Sequence, residues 1–271
     1  STMTVKNGAT YTQSGENWFR MNGGATITVE SGGTFTGMNA LMINGANNTV
    51  VIDGTMTRQI NYDNGNNFAL AVNAGTVNMK MSTSGNRIGY ADISVASGAT
   101  LAVSSNLKLW RGGSDSLVVD GTMTVDGNFI LDDNLTARMT DGSVVTVTGY
   151  GEFVNSTTTL VEGGTLTIDG LYFRYSADTF TFAAGRINLD QDEYADIILQ
   201  NGVTSFVNFT GDGVLFVDNA TLAEVQALAT DGKIGIDGTA SSSFLDFAYT
   251  ASGNGFEVTV PEPATMSLLA L

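Results

Sequence analysis

The sequence predicts an all-β fold: a single-stranded parallel β-helix, or β-solenoid, with about 22 residues per coil and a C-terminal cap that contains one short α-helix. Two observations lead to this prediction. A glycine recurs at a nearly constant interval, and apolar residues keep fixed offsets from it. Such periods are typical of stacked coils that share one core. An antiparallel sandwich is the alternative, but it offers no reason for the phase to persist over many units.

The period is carried by glycines that lie 21 to 23 residues apart. They are Gly33, Gly54, Gly75, Gly98, Gly121, Gly142, Gly164 and Gly185. Glycine is common in this chain, with 33 of 271 residues, so spacing alone is weak evidence. The residues that flank the glycines provide the stronger test.

Two apolar columns accompany the glycines. Three positions before them stand Val51, Val72, Val95, Val118, Met139, Val161 and Phe182, and only the first unit departs, with Glu30. Two positions after them stand Phe35, Met56, Val77, Met123, Val144, Leu166 and Ile187, with Leu101 one position late. We expect the first column to form a continuous ladder inside the coil, with Val118 between Val95 and Met139.

The segments around each glycine read as short strands joined by turns. In Thr122-Met123-Thr124-Val125, apolar and polar residues alternate, which sends one set inward and the other to solvent. No helical stripe of ten residues occurs before residue 219, so a βαβ fold is excluded.

The repeat becomes irregular after residue 190, and a helix is predicted beyond residue 219. Thr221 and Glu224 have the spacing of a capping box, and Gly232 is the stop signal. The predicted apolar stripe of this helix is Leu222, Val225 and Leu228. Because an uncovered last coil would expose strand edges and core, the predicted organisation is a solenoid over 1–218, a cap over 219–259 and a tail over 260–271.

Composition limits the function classes. Cysteine and histidine are both absent, which removes disulfides, thiolate metal sites and the commonest general base. Eleven basic against 27 acidic residues give a net charge of −16, which argues against nucleic acid and anionic membranes as partners. Few charges among many Thr, Asn, Ser and Gly residues are typical of an extracellular surface.

The tail carries a resemblance. Pro261-Glu262-Pro263-Ala264-Thr265, followed by Leu268-Leu269, resembles the start of a PEP-CTERM sorting signal, and both prolines of the chain lie in it. The repeat is also similar to those of autotransporter passengers. The resemblance implies a protein exported by a Gram-negative bacterium and found outside the cell or on its surface, with its leader removed. It further implies a membrane-spanning stretch and a basic cluster, neither of which follows within these residues, so membrane contact is expected only through such a segment.

Candidate catalytic or calcium-binding residues are acidic. Asp132-Asp133 form one pair, and Asp190, Asp192 and Glu193 form a cluster with Arg186 nearby. Parallel β-helix lyases and hydrolases use carboxylates in such places, but acids in solvated turns explain these residues more simply. The sequence predicts no catalysis and no cofactor, and calcium at 190–193 is the one metal left open although the spacing fits no EF-hand loop.

Threonine pairs suggest a second type of surface. Thr34/Thr36, Thr55/Thr57, Thr122/Thr124 and Thr165/Thr167 would stack along one face, as in ice-binding solenoids. Asn78, a shifted register at Thr100 and the Ser143-Val144-Val145 segment are expected to interrupt that array. Trp110, Tyr150, Tyr172, Phe173 and Tyr175 are candidates for a sugar-stacking surface or for core and corner positions.

The functional prediction is a non-catalytic extracellular scaffold, such as a matrix, surface-layer or filament subunit, that forms homo-oligomers or homopolymers. Self-association is predicted through the C-terminal strand, with Phe256, Val258 and Val260 donated to another copy. The alternatives are a β-helix protein that binds or degrades extracellular polysaccharide, and an ice- or surface-binding solenoid.

Overall fold

The computed structural model describes residues 1–14, 18–37, 40–62, 68–81, 88–110, 116–175, 178–190, 196–200 and 202–261. Over these residues the chain forms a parallel β-solenoid, as predicted from the glycine period. The strands fall into three sheets, here called A, B and C, which form the sides of the coil. Strand labels follow chain order.

Sheet A contains the strands that precede the repeat glycines. These are β1 (Thr2–Val5), β4 (Thr26–Val29), β7 (Asn48–Ile52), β9 (Phe68–Val72), β12 (Ala91–Val95), β15 (Ser116–Val119), β18 (Thr136–Met139), β21 (Thr158–Val161), β24 (Thr179–Phe182), β27 (Val207–Phe209), β29 (Ile234–Ile236) and β30 (Thr239–Ala240). From β1 to β29 each strand pairs in parallel with the next. At about 4.8 Å per coil, this stack is about 48 Å long.

Sheet B contains the strands that follow the glycines. These are β2 (Thr10–Gln13), β5 (Thr34–Gly37), β8 (Thr55–Tyr62), β10 (Thr76–Met81), β13 (Thr100–Val103), β16 (Thr122–Val125), β19 (Val144–Val147), β22 (Thr165–Ile168), β25 (Arg186–Leu189), β28 (Val214–Val217), β32 (Gly255–Thr259) and β31 (Ala248–Ser252). Two further strands, β3 (Phe19–Met21) and β6 (Leu41–Ile43), join this sheet through the far end of β8.

Sheet C forms the third side in the middle of the rod. Its strands are β11 (Ile88–Gly89), β14 (Leu107–Trp110), β17 (Phe129–Asp132), β20 (Tyr150–Val154), β23 (Gly170–Phe173) and β26 (Asp196–Leu199). Neighbouring strands again pair in parallel.

The inner face of sheet A is a ladder of apolar side chains, but two predicted members were wrong. Val95 pairs with Val119, not with Val118, which instead pairs with Ser94 and Arg138 on the outer face. In the same way Ile52, and not Val51, is buried above Val72. The corner before Gly54 and Gly121 is one residue shorter than the corners of the units from Gly75 to Gly98 and from Gly142 to Gly185. A one-residue change sends the opposite set of side chains inward.

The inner face of sheet B confirms the second column with one correction. Phe35, Met56, Val77, Leu101 and Met123 stack in register and are buried. The next member is Val145, which is fully buried, whereas Val144 points outward and is 45% exposed. The extra residue in the corner after Gly142 causes this shift, as it does for Leu101 after Gly98.

The repeat glycines lie at the corner between sheets A and B, where successive coils touch through their backbones. A Cβ on Gly75 would collide with the carbonyl oxygen of Gly54, its equivalent in the preceding coil. Gly75 also has φ +71°, a conformation that disfavours L side chains. Close stacking of backbones therefore explains the glycine at six of the eight positions, whereas at Gly98 and Gly142 the space is open and the positive φ, +78° and +80°, favours glycine.

The C-terminal region covers the last coil. Helix α1 (Leu222–Thr230) begins at the capping box of Thr221 and Glu224, and Gly232 follows at φ +69°. Val225 and Leu228 are buried as predicted, but Leu222 is exposed and Ala229 takes its place in the stripe. A 3-10 turn (Phe244–Asp246) and the antiparallel pair β31–β32 complete the cover. Because β29 continues the parallel ladder of sheet A, the cap and the solenoid share one core.

Candidate functional site

The outer face of sheet B is lined by two columns of threonine. The first column runs without interruption through Thr10, Thr34, Thr55, Thr76, Thr100 and Thr122, and resumes at Thr165 after Val144. The second contains Thr12, Thr36, Thr57, Asn78, Ala102, Thr124, Thr146 and Thr167. Strand geometry spaces the hydroxyls about 4.8 Å apart between coils and about 6.8 Å apart along a strand. We call this array the threonine face.

The threonine face is more continuous than the sequence predicted. The expected register shift at Thr100 is absent from the sheet, because the extra residue is accommodated in the turn where the Ala99 N–H donates to the Ala96 carbonyl oxygen at 2.9 Å. The segment at Val144 interrupts one column without ending the array, because Thr146 remains in register with Thr124 and Thr167. Asn78 also donates to the Thr57 hydroxyl at 3.4 Å.

The threonine face ends where the cap begins. Arg186 and Asn188 follow Thr165 and Thr167 in register. The Arg186 guanidinium bonds Glu257 of β32 at 2.9 Å and lies 4.9 Å from the ring centroid of Phe216. That hydrogen bond lowers the pKa of the Glu257 carboxyl. Arg186, predicted near a calcium or catalytic cluster, therefore fastens the cap to the solenoid.

The outer face of sheet C differs from the threonine face because the residue type changes from each coil to the next. One column contains Lys108, Ile130, Glu152, Tyr172 and Ile198 in register. Of the predicted aromatic surface, Tyr150 and Tyr172 both lie on this face, in neighbouring strands. Trp110 lies on β14 opposite Asp132. Phe173 was wrong as a sugar-stacking residue, because it is fully buried against Phe153 and Phe180.

The predicted acid pair divides between two environments. Asp132 is buried on sheet C, where its carboxylate bonds Lys108 at 3.1 Å and accepts from the Asn155 amide at 3.0 Å. Asp133 lies in the following turn with φ +64°, and its backbone N–H donates to the Val154 carbonyl oxygen. These contacts give Asp132 a structural role in joining neighbouring coils.

A second buried acid, Glu152, was missed in the sequence. Its side chain is only 7% exposed and is bonded by the Arg174 guanidinium. Arg174 also lies 5.4 Å from the ring centroid of Tyr172, which follows Glu152 in register. The available signal was the alternation in Tyr150-Gly151-Glu152, which places the acid on the outer face beside Tyr150. Its burial depends on the next coil.

A shallow cavity of about 330 Å³ lies beside these residues. It is lined by Tyr150, Gly170, Leu171, Tyr172 and Ile198. Gly170 pairs with Tyr150 in the neighbouring strand. We call this cavity and its lining the tyrosine groove.

The predicted calcium site is not assembled in the described residues. Asp190 is exposed, and its backbone N–H donates to the Ile168 carbonyl oxygen, whereas Asp192 and Glu193 lie outside the described residues. Within the part of the chain that the structure describes, no group of three or more acidic side chains has a metal-binding arrangement.

The predicted donor strand is already paired on both edges. Phe256 and Val258 of β32 pair with Val217 and Leu215 on one side and with Ala251 and Tyr249 on the other. Val258 is fully buried, and Val260 packs against the core. Donation of this segment to another copy would require it to leave its own sheet. Pro261 ends the described chain, and Glu262 and Pro263 lie outside it.

No family model, curated protein or solved structure matches this chain. The fold and the two outer faces therefore provide the basis for a functional proposal. Among the described residues, no helix has the length and apolar character needed to cross a membrane.

Proposed function

We propose that this protein is a non-catalytic structural protein exported to the cell surface or the extracellular matrix, where copies of it associate. The observation that supports this proposal is the unbroken parallel register of sheet A from β1 to β29. A stack of this kind has its core in one continuous column and presents long outer faces. Such a rod is suited to bridging the distance between two attachment points and to presenting its outer faces to other molecules.

Composition and the tail support the exported location. The net charge of −16 and the low content of charged residues favour a soluble, polar surface. The final strand β32 leads directly into Pro261, where the PEP-CTERM-like segment starts. The solenoid would therefore stand with its capped end toward the attachment point.

Cell fractionation and electron microscopy test this function. We expect antibodies against the solenoid to label the exterior of the producing cells, and purified protein to form particles larger than a monomer as its concentration rises. Protein confined to the cytosol, or monodisperse monomers at every concentration and with or without calcium, would contradict the proposal.

A second candidate function is adsorption to ice, and the continuous threonine face favours it. Threonine is also simply a good outward strand residue and stacks over three consecutive coils on sheet A, at Thr136, Thr158 and Thr179, but the unbroken column on sheet B is twice as long. A rigid parallel sheet holds the methyl and hydroxyl groups in a flat, regular array. Such an array can order water in a lattice-like layer.

Thermal hysteresis measures this activity. We expect freezing-point depression in the intact protein, and its loss when Thr76 and Thr100 are both replaced by tyrosine, because bulky rings would break the plane. Thr136 and Thr158 point outward on sheet A and provide the matched control pair. Absence of hysteresis in the intact protein would exclude the ice-binding function and leave the structural one in place.

A further inference from the structure

We infer that the tyrosine groove is a binding site for a neutral polysaccharide, with the rings of Tyr150 and Tyr172 as its platform. The groove is formed by β20, β23 and β26, so it spans about two coil steps along the rod, or about 10 Å. Its volume of about 330 Å³ is near the lower end of the range of ligand sites, about 300–1,000 Å³. Such a volume suits one or two sugar rings of a chain that continues on either side.

The chemistry of the lining is that of a surface that recognises sugars. Tyrosine presents a flat apolar ring for the C–H face of a sugar and a hydroxyl for its polar edge. Ile198, which is 39% exposed, adds an apolar side chain beside the two rings, while Leu171 is fully buried in the core beneath them. Next to these residues, the Arg174 guanidinium is 45% exposed and can donate hydrogen bonds to sugar hydroxyls.

The platform is held in place before any ligand arrives. Arg174 lies over the Tyr172 ring and is itself bonded to the buried carboxylate of Glu152. An ion pair between a buried carboxylate and a half-exposed guanidinium, with a ring stacked on the guanidinium, restricts the rotamers of all three side chains. Restricting the site in advance lowers the entropy cost of binding.

The charge pattern selects a neutral ligand. The cations on this face, Lys108 and Arg174, are each paired with a buried acid, Asp132 and Glu152. The protein as a whole carries a net charge of −16, so a polyanionic glycan would be repelled. An uncharged polysaccharide meets neither repulsion nor the cost of breaking these pairs.

Affinity electrophoresis of the full-length protein tests this inference. The gels would contain hydroxyethylcellulose, xyloglucan or galactomannan as neutral probes, and alginate as the polyanionic probe. We expect at least one neutral glycan to retard the protein, and alginate to leave its mobility unchanged. Tyr150→Ala and Tyr172→Ala should each weaken binding about tenfold, because each removes one stacked ring.

Matched variants separate binding from folding. Tyr172→Phe keeps the ring and should retain most of the affinity, and Tyr175→Ala alters a tyrosine that is 49% exposed and lies outside the groove lining. Circular dichroism would verify that each variant is folded. Failure of every neutral glycan to retard the intact protein, retardation by alginate alone, or equal retardation of the intact protein and the Tyr150→Ala/Tyr172→Ala double variant would overturn the inference.

Discussion

The outer faces of sheets B and C are built on the same coils and yet differ in character. On sheet B, one column presents threonine in six consecutive coils. On sheet C, the residue type in the column through Lys108 and Tyr172 changes from each coil to the next. Both sheets share the requirement for apolar residues inside, so the difference lies in the outward positions. A uniform column suits contact with a repeating surface, whereas a varied one suits a local site.

The first way to test the comparison is to challenge the register that separates inward from outward positions. Val145→Asn would place an amide in the core, and we expect a loss of about 4 kcal/mol in the free energy of unfolding, from lost apolar burial and an unpaired polar group. Val144→Asn, one residue earlier on the outer face, should change stability by less than about 0.5 kcal/mol. Urea unfolding measures both, and similar losses would show that the register is wrong.

The second test concerns the corner that keeps both sheets aligned. Gly75→Val would collide with the backbone of the preceding coil, and we expect a loss of about 3 kcal/mol with disturbance of the threonine columns on either side. Gly98 has a similar positive φ, +78°, but open space around its Cβ position. Gly98→Val should therefore cost only about 1–2 kcal/mol. If thermal unfolding showed that Gly75→Val and Gly98→Val lose the same amount of stability, this would argue against backbone stacking as the cause of the glycine period.

The third test concerns the buried acids that distinguish sheet C. Arg174→Met would leave the Glu152 carboxylate buried without its cation, and we expect a loss of about 2 kcal/mol. Arg138→Met on sheet A removes the cation from Glu162, which is exposed, and should cost less than about 1 kcal/mol. If the ion pair between Arg174 and Glu152 contributes no more to the free energy of unfolding than the exposed pair does, the platform of the groove is not held as described.

The smallest expected effect is a pH dependence at the cap end of sheet B. Burial, with a smaller contribution from Asp246, raises the pKa of Tyr249 to about 12. In the unfolded chain a tyrosine loses its proton near pH 10, about two units earlier. The stability provided by the neutral phenol is therefore complete below pH 10 and is lost as the pH rises toward 12.

Tyr249→Phe is the control for this dependence, because phenylalanine has no proton to lose. We expect the intact protein to lose more stability than the variant between pH 10 and pH 12, as measured by thermal unfolding. Parallel curves for the two proteins would show that Tyr249 does not titrate differently in the folded state.

Much of the fold follows from local patterns. The glycine period, the alternation in segments such as Thr122–Val125 and the capping box at Thr221 each depend on residues close in the chain, so they can be read directly. The errors fell at the corners. Val118 and Val144 were each placed one residue from the true inward position, because corner length varies by one residue between coils and the pleat has a period of two.

The candidate sites were less predictable because they depend on contacts between coils. The threonine column was underestimated, since the turn before Thr100 absorbs an extra residue and restores the register. The burial of Glu152 could not be predicted, because nothing in its own strand shows that Arg174, 22 residues later, bonds its carboxylate. Phe173 and its neighbour Tyr172 are both aromatic, but the pleat sends the two rings to opposite faces of the sheet.

The amino-acid sequence by itself determined that the chain coils, how long each coil is and which end needs a cover, because these properties come from spacing, alternation and capping within a few residues. The tertiary structure alone decided which of two adjacent residues is buried, how far the threonine face extends and that two tyrosines line one cavity beside a buried carboxylate. Those outcomes arise where residues about 22 positions apart are stacked in adjacent coils, and they are settled by backbone contacts at the corners.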